Sequence, residues 1–303
     1  YESMKLFVEA EIRKMGKKNL WIGPSLGDWL AMGKGIAWQA MHNNPVSNAF
    51  IVHDLKVISE TAERLGKKAD ADRYRRQLEA TTKAYIEKFV SKKGIVAKDY
   101  QSAYIMALKF VLPEGELREL VKKNFAANIR KNGLQTGFFA TEHLLPLLVE
   151  AGETELAYDI LLQEGCPGWM YQIKCGATTT WERWDALKPD GTVNEEKMAG
   201  SGDNMVSFNH YAFGSVGEFY YQYILGIKPQ KPGFAELHFE PYPDRRLGGV
   251  SGSYLSRAGK IESSWKYEED GCHISLNTPV KSEVVLPNGQ RETVEEGTYQ
   301  WLC

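Results

Sequence analysis

The stretch IVHDLKVISETAERLG, residues 51–66, decides the fold class of this chain. Its apolar side chains recur every three or four residues: Ile51, Leu55, Ile58, Ala62 and Leu65. This spacing places a single apolar stripe along one side of an amphipathic helix, and Gly66 supplies a helix stop. We therefore predict a helix that buries one face against other helices.

The same periodicity predicts further helices at residues 4–15, 70–90, 100–110, 113–130, 141–150, 154–163 and 207–225. Pro113 would occupy the first turn of one helix, and Thr154 would cap another. Loops rich in glycine, tryptophan and polar residues separate the helices at residues 21–35, 132–139 and 165–203. Successive helices joined in this way indicate an α/α toroid, in which an outer ring wraps an inner ring. The loops of such a toroid gather at one end and carry function.

The helical period is lost near residue 230. Alternating apolar residues at 234–239, 261–267, 272–276 and 283–286 predict short strands. Gly271 and the segment 287–289 supply turns between them. We therefore predict a mainly α domain at residues 1–229 and a small antiparallel β-sandwich at residues 230–303.

Composition excludes several classes of partner. The 303 residues carry a formal net charge of -2, which gives no reason to expect nucleic acid or an anionic membrane surface. We find no apolar run near the roughly 20 residues that span a bilayer. The four cysteines form no Cys-x-x-Cys pair and no Cys/His cluster with zinc-ligand spacing, so we expect reduced thiols, no metal and no cofactor. The sequence is compatible with a homo-oligomer and with a secreted, periplasmic or cytoplasmic location.

The segment GATTTWERWD, residues 176–185, is the strongest candidate for chemistry. It places Glu182 between Trp181 and Trp184, with Arg183 beside it. Carboxylates perform the acid–base chemistry of glycosidic bonds, and aromatic faces pack against sugar rings. Arg183 would favour the ionised form of Glu182, which suits a general base. A buried Glu182–Arg183 pair or an acid at a helix N-terminus explains the same residue types equally well.

Two further segments could bind a sugar. In Gly27-Asp28-Trp29 the carboxylate would accept hydrogen bonds from sugar hydroxyls, and the indole would stack on the sugar ring. The alternative is that Asp28 caps the following helix and that Trp29 packs in the core, and this alternative is slightly favoured. In SFNHYAFG, residues 207–214, Asn209 and His210 could bind hydroxyls, but a lone histidine beside aromatic residues is more often part of the core. Residues 203–204 could bind the sugar from a loop, or they could simply form a turn.

Taken in order, four segments resemble the catalytic region of glycoside hydrolase family 78, the α-L-rhamnosidases. They are GDWLA at 27–31, LQTGF at 134–138, GATT with WERWD at 176–185, and SFNHYA at 207–212. The resemblance covers essentially the whole chain. It implies an (α/α)6 barrel followed by a β-sandwich. It also implies hydrolysis of terminal α-L-rhamnose with inversion, in which two carboxyl groups flank a water molecule.

The resemblance also implies roles for individual residues. Glu182 corresponds to the general base, Trp29 to a wall of the rhamnose pocket, and His210 to a ligand of sugar hydroxyls. The remaining candidates, Asp28, Trp181 and Arg183, would give close support to the bound substrate, a rhamnose-containing glycoside or polysaccharide. There are two kinds of alternative to an α-L-rhamnosidase. One is a carbohydrate-binding relative without catalysis, and the other is a different (α/α)6 glycosidase or a lyase.

The chain departs from the family pattern in one respect. The family's general acid lies in an acidic motif upstream of the region matched here, and this sequence has nothing like that motif. The predicted helices are also too few for six complete hairpins. We therefore expect the acid and the remaining helices to come from residues before Tyr1, leaving the toroid incomplete at its N-terminus. On this expectation the 303-residue chain alone is weakly active or inactive.

Overall fold

The computed structural model describes residues 1–33, 35–195 and 206–303. The chain divides into two compact units, Tyr1–Phe213 and Gly214–Cys303. The first is mainly helical and the second is built mainly from strands, which confirms the predicted fold class. The domain boundary at residues 229/230 stays a prediction from composition. None of the described helices is both long enough and apolar enough to cross a membrane.

The first unit is a succession of helices joined by loops. Its α-helices are α1 (Glu2–Met15), α2 (Ile36–His42), α3 (Asn44–Arg64), α4 (Lys68–Phe89), α5 (Gln101–Met106), α6 (Glu116–Asn132), α7 (Phe138–Glu150), α8 (Thr154–Leu162) and α9 (Trp169–Lys174). A π-helical segment, Ala107–Val111, continues α5. Residues 101–108 are all buried, so α5 and its extension form the centre of the unit. A helix that is covered on every side in this way needs no polar face.

The predicted apolar stripe is buried at Ile51, Leu55, Ile58 and Ala62, but its last residue, Leu65, lies after the end of the helix and is 56% exposed. Leu55, Ile58 and Ala62 are fully buried along α3, which packs against α4 and α5. The helix begins earlier than the stripe, at Asn44, with Pro45 in its first turn. Proline suits this position because its missing N–H would have no partner within the helix.

Several predicted helix boundaries are wrong. The helix predicted from Pro113 begins at Glu116, after Gly115, whose φ of 143° lies in the region that favours glycine. Thr154 is the first residue of α8, and Glu153 precedes it as the cap position. Helix α9 lies inside the segment 165–203, which was predicted to be a loop. Helix α2 lies between residues 36 and 50, for which no element was predicted. Each helix is too short to show a periodic pattern.

The helix predicted at residues 207–225 forms only in its second half. It consists of a 3₁₀ segment (Ala212–Ser215), a short helix α10 (Val216–Phe219) and a π-helical segment (Tyr220–Ile224). The earlier residues are not helical, because their backbone groups bond to another loop. Ser207 O accepts from Glu182 N at 2.8 Å, and His210 N donates to Thr180 O at 2.9 Å.

The second unit, described throughout, contains two four-stranded sheets. One has the order β1 (Ile227–Pro229), β2 (Leu237–Phe239), β6 (Ser282–Val285), β7 (Arg291–Val294), and the other has the order β3 (Gly249–Ser256), β4 (Gly259–Glu268), β5 (Gly271–Thr278), β8 (Gly297–Leu302). The pairing of β2 with β6 is parallel, which corrects the wholly antiparallel prediction. The two strands run in the same direction because the chain passes through β3, β4 and β5 before returning.

Candidate active site

Asp28 joins two of the four segments that carry the family resemblance. Its side chain is fully buried. The carboxylate accepts bonds from Gly137 N at 2.8 Å, Phe139 N at 2.8 Å and Ala140 N at 3.1 Å, and from the Ser102 hydroxyl at 2.5 Å. Burial raises the pKa of the Asp28 carboxyl, whereas these hydrogen bonds lower it. The carboxylate therefore caps α7, a helix far along the chain, and not the helix that follows it.

Gly137 allows the backbones of the two segments to touch. A Cβ at this position would lie 2.1 Å from Trp29 O and 2.8 Å from Ala31 N. Phe138 N donates to Trp29 O at 3.0 Å, which fixes the same contact. The glycine is required here by close approach and not by its backbone angles, since its φ is -95°.

The loop before Asp28 is held by a buried asparagine. Asn43 Nδ2 donates to Leu26 O at 2.6 Å, and its Oδ1 accepts from the Tyr100 hydroxyl at 3.0 Å. Gly27 has a φ of 51°, and a Cβ on it would lie 2.3 Å from Asn43 Cβ. Glycine is therefore the residue that this close, left-handed turn requires.

Trp29 lines a cleft of about 810 Å³ in the first unit. The half-buried indole shares the cleft with Trp21, Leu26, Phe50 and Phe138. Aromatic and aliphatic walls of this kind suit the apolar face of a sugar ring. The role of Trp29 as a wall of the rhamnose pocket stays a prediction.

Glu182 is half-buried, and two hydrogen bonds join it to Ser207. Its Oε2 accepts from Ser207 N at 2.9 Å, and its own N donates to Ser207 O at 2.8 Å. This reciprocal pair fixes both the backbone and the carboxylate of Glu182. One carboxylate oxygen is held in place by the pair, and within residues 1–33, 35–195 and 206–303 the other oxygen accepts no further hydrogen bond.

Arg183 pairs with Asp185. Arg183 Nε donates to Asp185 Oδ1 at 2.9 Å, and the guanidinium also donates to Oδ2 at 3.0 Å. Asn194 Nδ2 donates to the same Oδ2 at 2.9 Å. Arginine prefers this two-pronged geometry with a carboxylate. Arg183 therefore stiffens the loop that carries Glu182.

The two tryptophans that flank Glu182 and Arg183 are buried. Trp181 is 2 % exposed and packs with Tyr171 and Ala186 in a small core beneath the loop. Trp184 is 1 % exposed, stacks on Phe213 at 3.8 Å, and donates from Nε1 to Thr136 O at 2.9 Å. Both indoles therefore lie under the site and hold it in shape.

His210 links the Glu182 loop to the Trp29 cleft. The Thr180 hydroxyl donates to His210 O at 2.6 Å. The imidazole lies 4.7 Å from the ring of Phe138, a residue of the cleft wall, and stacks on the exposed Tyr211. Its Nδ1 accepts from Ala212 N at 3.3 Å, so in the neutral ring Nε2 carries the proton and can donate to a ligand.

The four segments thus meet in one region of the first unit. Asp28 and Gly137 join the first two, Thr180 joins the third to His210, and Phe138 joins His210 to the cleft. The candidate segment 203–204 lies outside the described residues.

The sequence analysis missed two acidic residues of the cleft, Glu11 on α1 and Asp54 on α3. Burial and the neighbouring Asp54 raise the pKa of Glu11 to about 7. Burial also raises the pKa of Asp54, while nearby His53 lowers it. A usable signal was present, because Glu11 lies four residues after Phe7 and Asp54 lies three residues after Ile51, and both distances are helical spacings from an apolar residue.

Among the described residues, one group offers ligand atoms close enough for a metal ion. Glu268, Asp270 and His273 place these atoms within 4.8 Å of one another in the second unit. All three side chains are exposed, and His273 Nε2 is already 2.7 Å from Asp270 Oδ1. We assign no metal to this group.

Comparison with known proteins confirms the resemblance. Residues 1–224 match the family described as bacterial alpha-L-rhamnosidase 6 hairpin glycosidase domain. Residues 226–300 match the bacterial alpha-L-rhamnosidase C-terminal domain.

Two curated relatives show how much of a longer protein the match covers. The chain is 34% identical over 298 residues to an alpha-L-rhamnosidase of Alteromonas sp. (strain LOR), which is 95% of this chain and 32% of that protein. It is 32% identical over 279 residues to an alpha-L-rhamnosidase of Streptomyces avermitilis, which is 90% of this chain and 26% of that protein. The chain therefore spans about a third or less of the length of these relatives.

Solved structures give the same result. The Streptomyces avermitilis alpha-L-rhamnosidase complexed with L-rhamnose matches with a TM-score of 0.88 and 28% identity, over 99% of this chain and 30% of that chain. The native Aspergillus terreus enzyme matches with a TM-score of 0.82 and 28% identity, over 91% of this chain and 32% of that chain.

Proposed function

This chain belongs to the bacterial α-L-rhamnosidases, and on that premise we propose that it contributes the general base of an inverting α-L-rhamnosidase. The reaction removes terminal α-L-rhamnosyl residues from glycosides or polysaccharides. A relative from Streptomyces avermitilis has been crystallised with L-rhamnose, which supports this substrate class.

The proposal rests chiefly on how Glu182 is held. One oxygen of its carboxylate is fixed by Ser207 N, and the loop around it is tied to His210 through Thr180. In the proposed mechanism the other oxygen takes a proton from water as that water attacks the anomeric carbon. A base fixed in this way loses little entropy when it orients the water.

The remaining residues have graded roles. Trp29 forms a wall against the sugar ring, and Nε2 of His210 donates to a sugar hydroxyl. Asp28, Trp181 and Arg183 act beneath the substrate, because their side chains are engaged in the contacts that shape the two loops. We assign the general acid to no residue of this chain, since the sequence lacks the family's acid motif.

Replacement of Glu182 by Gln in the full-length protein tests the assignment. Glutamine keeps the shape of the side chain and can still accept a bond from Ser207 N, but it cannot take a proton. We expect kcat on an aryl α-L-rhamnoside to fall by about 10²–10⁴-fold.

The matched control is Glu164→Gln, which makes the same change in an exposed ion pair with Lys174. It should keep the original rate. Near-normal hydrolysis by Glu182→Gln would refute the assignment of the base. A panel of other aryl glycosides, tested in parallel, separates a rhamnosidase from a glycosidase for another sugar.

A further inference from the structure

Helix α9 lies directly before the loop that carries Glu182, and its side chains are bonded to the two segments that meet at the site. The Tyr171 hydroxyl donates to Leu187 O at 2.9 Å, beyond the end of the segment GATTTWERWD. Trp169 Nε1 donates to Phe213 O at 2.9 Å, at the residue after the segment SFNHYA. Both side chains are buried. Helix α9 is therefore a common support for the two segments.

A third side chain of α9, that of Gln172, reaches the middle of the Glu182 loop. Its Oε1 accepts from Trp181 N at 3.2 Å, and its backbone carbonyl accepts from Ala177 N at 3.0 Å. Trp181 is the residue immediately before Glu182. Gln172 therefore holds the loop at its start and again one residue before the proposed base.

The peptide group between Thr180 and Trp181 is held from two opposite sides. Its C=O accepts from His210 N at 2.9 Å, and its N–H donates to Gln172. In a trans peptide the C=O and the N–H point in opposite directions, so two such partners fix the plane of the group. Gln172 is the partner from α9, and His210 is the partner from the segment SFNHYA.

This peptide group controls the direction of Glu182 through the chain itself. Only the dihedral angles of Trp181 separate it from the peptide group of Glu182, and the Trp181 side chain is held in the core. Ser207 O then accepts from Glu182 N at 2.8 Å, and Ser207 N donates to the carboxylate at 2.9 Å. A rotation of the peptide group between Thr180 and Trp181 would therefore displace the carboxylate.

The burial of Gln172 shows which part of its amide matters. The residue is 2% exposed, and among the described residues its Nε2 makes no hydrogen bond. A buried donor without a partner costs free energy, and an apolar side chain of the same length would avoid that cost. The bond from Trp181 N to Oε1 is therefore the contribution that a glutamine makes at this position.

We propose that Gln172 is a positioning residue for Glu182, acting through the peptide group between Thr180 and Trp181. The proposal rests on the proposed role of Glu182 as general base. Gln172 is too deeply buried to touch a substrate, so its effect has to pass through the loop. Loss of the acceptor would leave Trp181 N buried without this partner and would free the peptide group to rotate. A displacement of about 1 Å at a catalytic group can cost about 10²-fold in rate.

Gln172→Met in the full-length protein tests the proposal. Methionine has a similar length and adapts to a buried site, but it offers no oxygen to Trp181 N. We expect kcat on an aryl α-L-rhamnoside to fall by about 10–10²-fold, because the base is no longer aimed at the water. KM should stay nearly unchanged, because the residues proposed to bind the sugar keep their own contacts.

Gln172→Glu is the rescue variant. It restores an acceptor oxygen at the same distance from the backbone, so it should recover most of kcat. The matched control is Gln77→Met, which makes the same change at a half-buried glutamine of α4 that donates to Asn19 Oδ1 at 3.0 Å. This control should keep the original rate. Circular dichroism establishes that each variant is folded. If Gln172→Met does not fold, Gln172→Asn takes its place, since the shorter side chain cannot reach Trp181 N.

A double-mutant cycle with Glu182→Gln separates positioning from a general structural role. If Gln172 acts through Glu182, Gln172→Met should cause almost no further loss of kcat in the Glu182→Gln protein. Losses that multiply in the double variant would overturn the proposal. An unchanged kcat in Gln172→Met, or equal losses in the methionine and glutamate variants, would also overturn it.

The same cycle distinguishes failure of this proposal from failure of the base assignment. A large loss in Glu182→Gln beside a normal rate in Gln172→Met would overturn only the role of Gln172. Near-normal hydrolysis by Glu182→Gln would overturn the base assignment and, with it, the positioning role that rests on it.

Discussion

Asp28 illustrates what a single residue can and cannot reveal in a sequence. The adjacent residues in the sequence predicted that Asp28 either binds a sugar or caps the next helix. Both predictions considered only residues close to Asp28 in the chain. The structure places its partner Gly137 109 residues away in the chain. A carboxylate at the N-terminus of a helix satisfies backbone donors that would otherwise be buried without partners. Local sequence patterns contain no information on such a distant partner, so the role of Asp28 could not be deduced from them.

Gly137→Ala should destabilise the first unit more than an ordinary glycine substitution. The new methyl group would meet the backbone of Trp29 and Ala31, neither of which can rotate away. We expect a loss of about 1–3 kcal/mol in the free energy of unfolding. Urea unfolding followed by tryptophan fluorescence measures it.

Gly165→Ala is the matched control for this prediction. A Cβ at Gly165 meets no atom within 4 Å, and its φ does not lie in the left-handed region. Equal stability of the two alanine variants would show that the contact between the GDW and LQTG segments is not close in solution.

At the scale of the elements, helices and strands with a long apolar pattern were predicted, and those without one were not. Helices α3 and α4 were predicted because their stripes are long. Strands β3, β7 and β8 were not predicted, because Val294 is the only buried residue in the three of them. A periodic apolar pattern indicates that one face of an element is buried, and few residues of these three strands are buried.

Helices α1 and α3 together produce a pH dependence of stability. The pKa of Glu11 is about 7 in the folded chain and 4.5 in its ordinary state, so the folded form holds the proton more tightly. The charged and titratable groups nearby in the cleft or beside it are Asp54, His53 and Lys14. The contribution of Glu11 to the free energy of unfolding should therefore be most favourable below pH 4.5, and it should fall as the pH rises toward 7.

Glu11→Gln checks this prediction, because glutamine resembles the protonated acid. The thermal midpoint of the original chain should decline relative to that of the variant between pH 4.5 and 7. Parallel curves over this interval would contradict the assignment. Glu155→Gln makes the same change at an exposed glutamate of α8 and provides the control.

The first sheet of the second unit contains a second pH-sensitive contact. His238 on β2 lies 3.2 Å from Glu240 and 3.4 Å from Glu283, and the bond with Glu240 is the main cause that raises the pKa of His238. Lys228 faces the same group and binds Glu240 at 3.1 Å. The pKa of Glu240 is lowered to about 2, first of all by His238.

His238→Gln should therefore remove stability that is present only at low pH. A raised histidine pKa stabilises the folded state fully below pH 6.5, and the effect disappears as the pH rises through the folded pKa. The variant should melt earlier than the original chain at pH 5.5, and the difference should shrink at pH 8.5. A difference that stays constant with pH would indicate lost packing instead of lost charge. His42→Gln provides a control at an exposed histidine of α2.

At the scale of the whole molecule, the sequence predicted a mainly helical part followed by a β-rich part, and both are present. The four segments that carried the resemblance are linked through Asp28, Thr180 and Phe138. The cleft acids were not predicted, because they lie on helices whose stripes were interpreted as core. The family resemblance therefore predicted residues of the loops around the site, but it did not predict the acidic residues that line the cleft.

The stereochemistry of the full-length protein tests the proposed mechanism as a whole. A base that activates water on the face opposite the leaving group inverts the anomeric carbon, whereas a carboxylate that attacks the sugar itself retains its configuration. We therefore expect β-L-rhamnose to appear first when an aryl α-L-rhamnoside is hydrolysed. Proton NMR of the anomeric signals, recorded before mutarotation, measures this directly, and authentic α-L-rhamnose under the same conditions supplies the mutarotation rate. If the α anomer appeared first, Glu182 would have to act as a nucleophile, and its bond to Ser207 N would serve to aim the carboxylate at carbon and not at water.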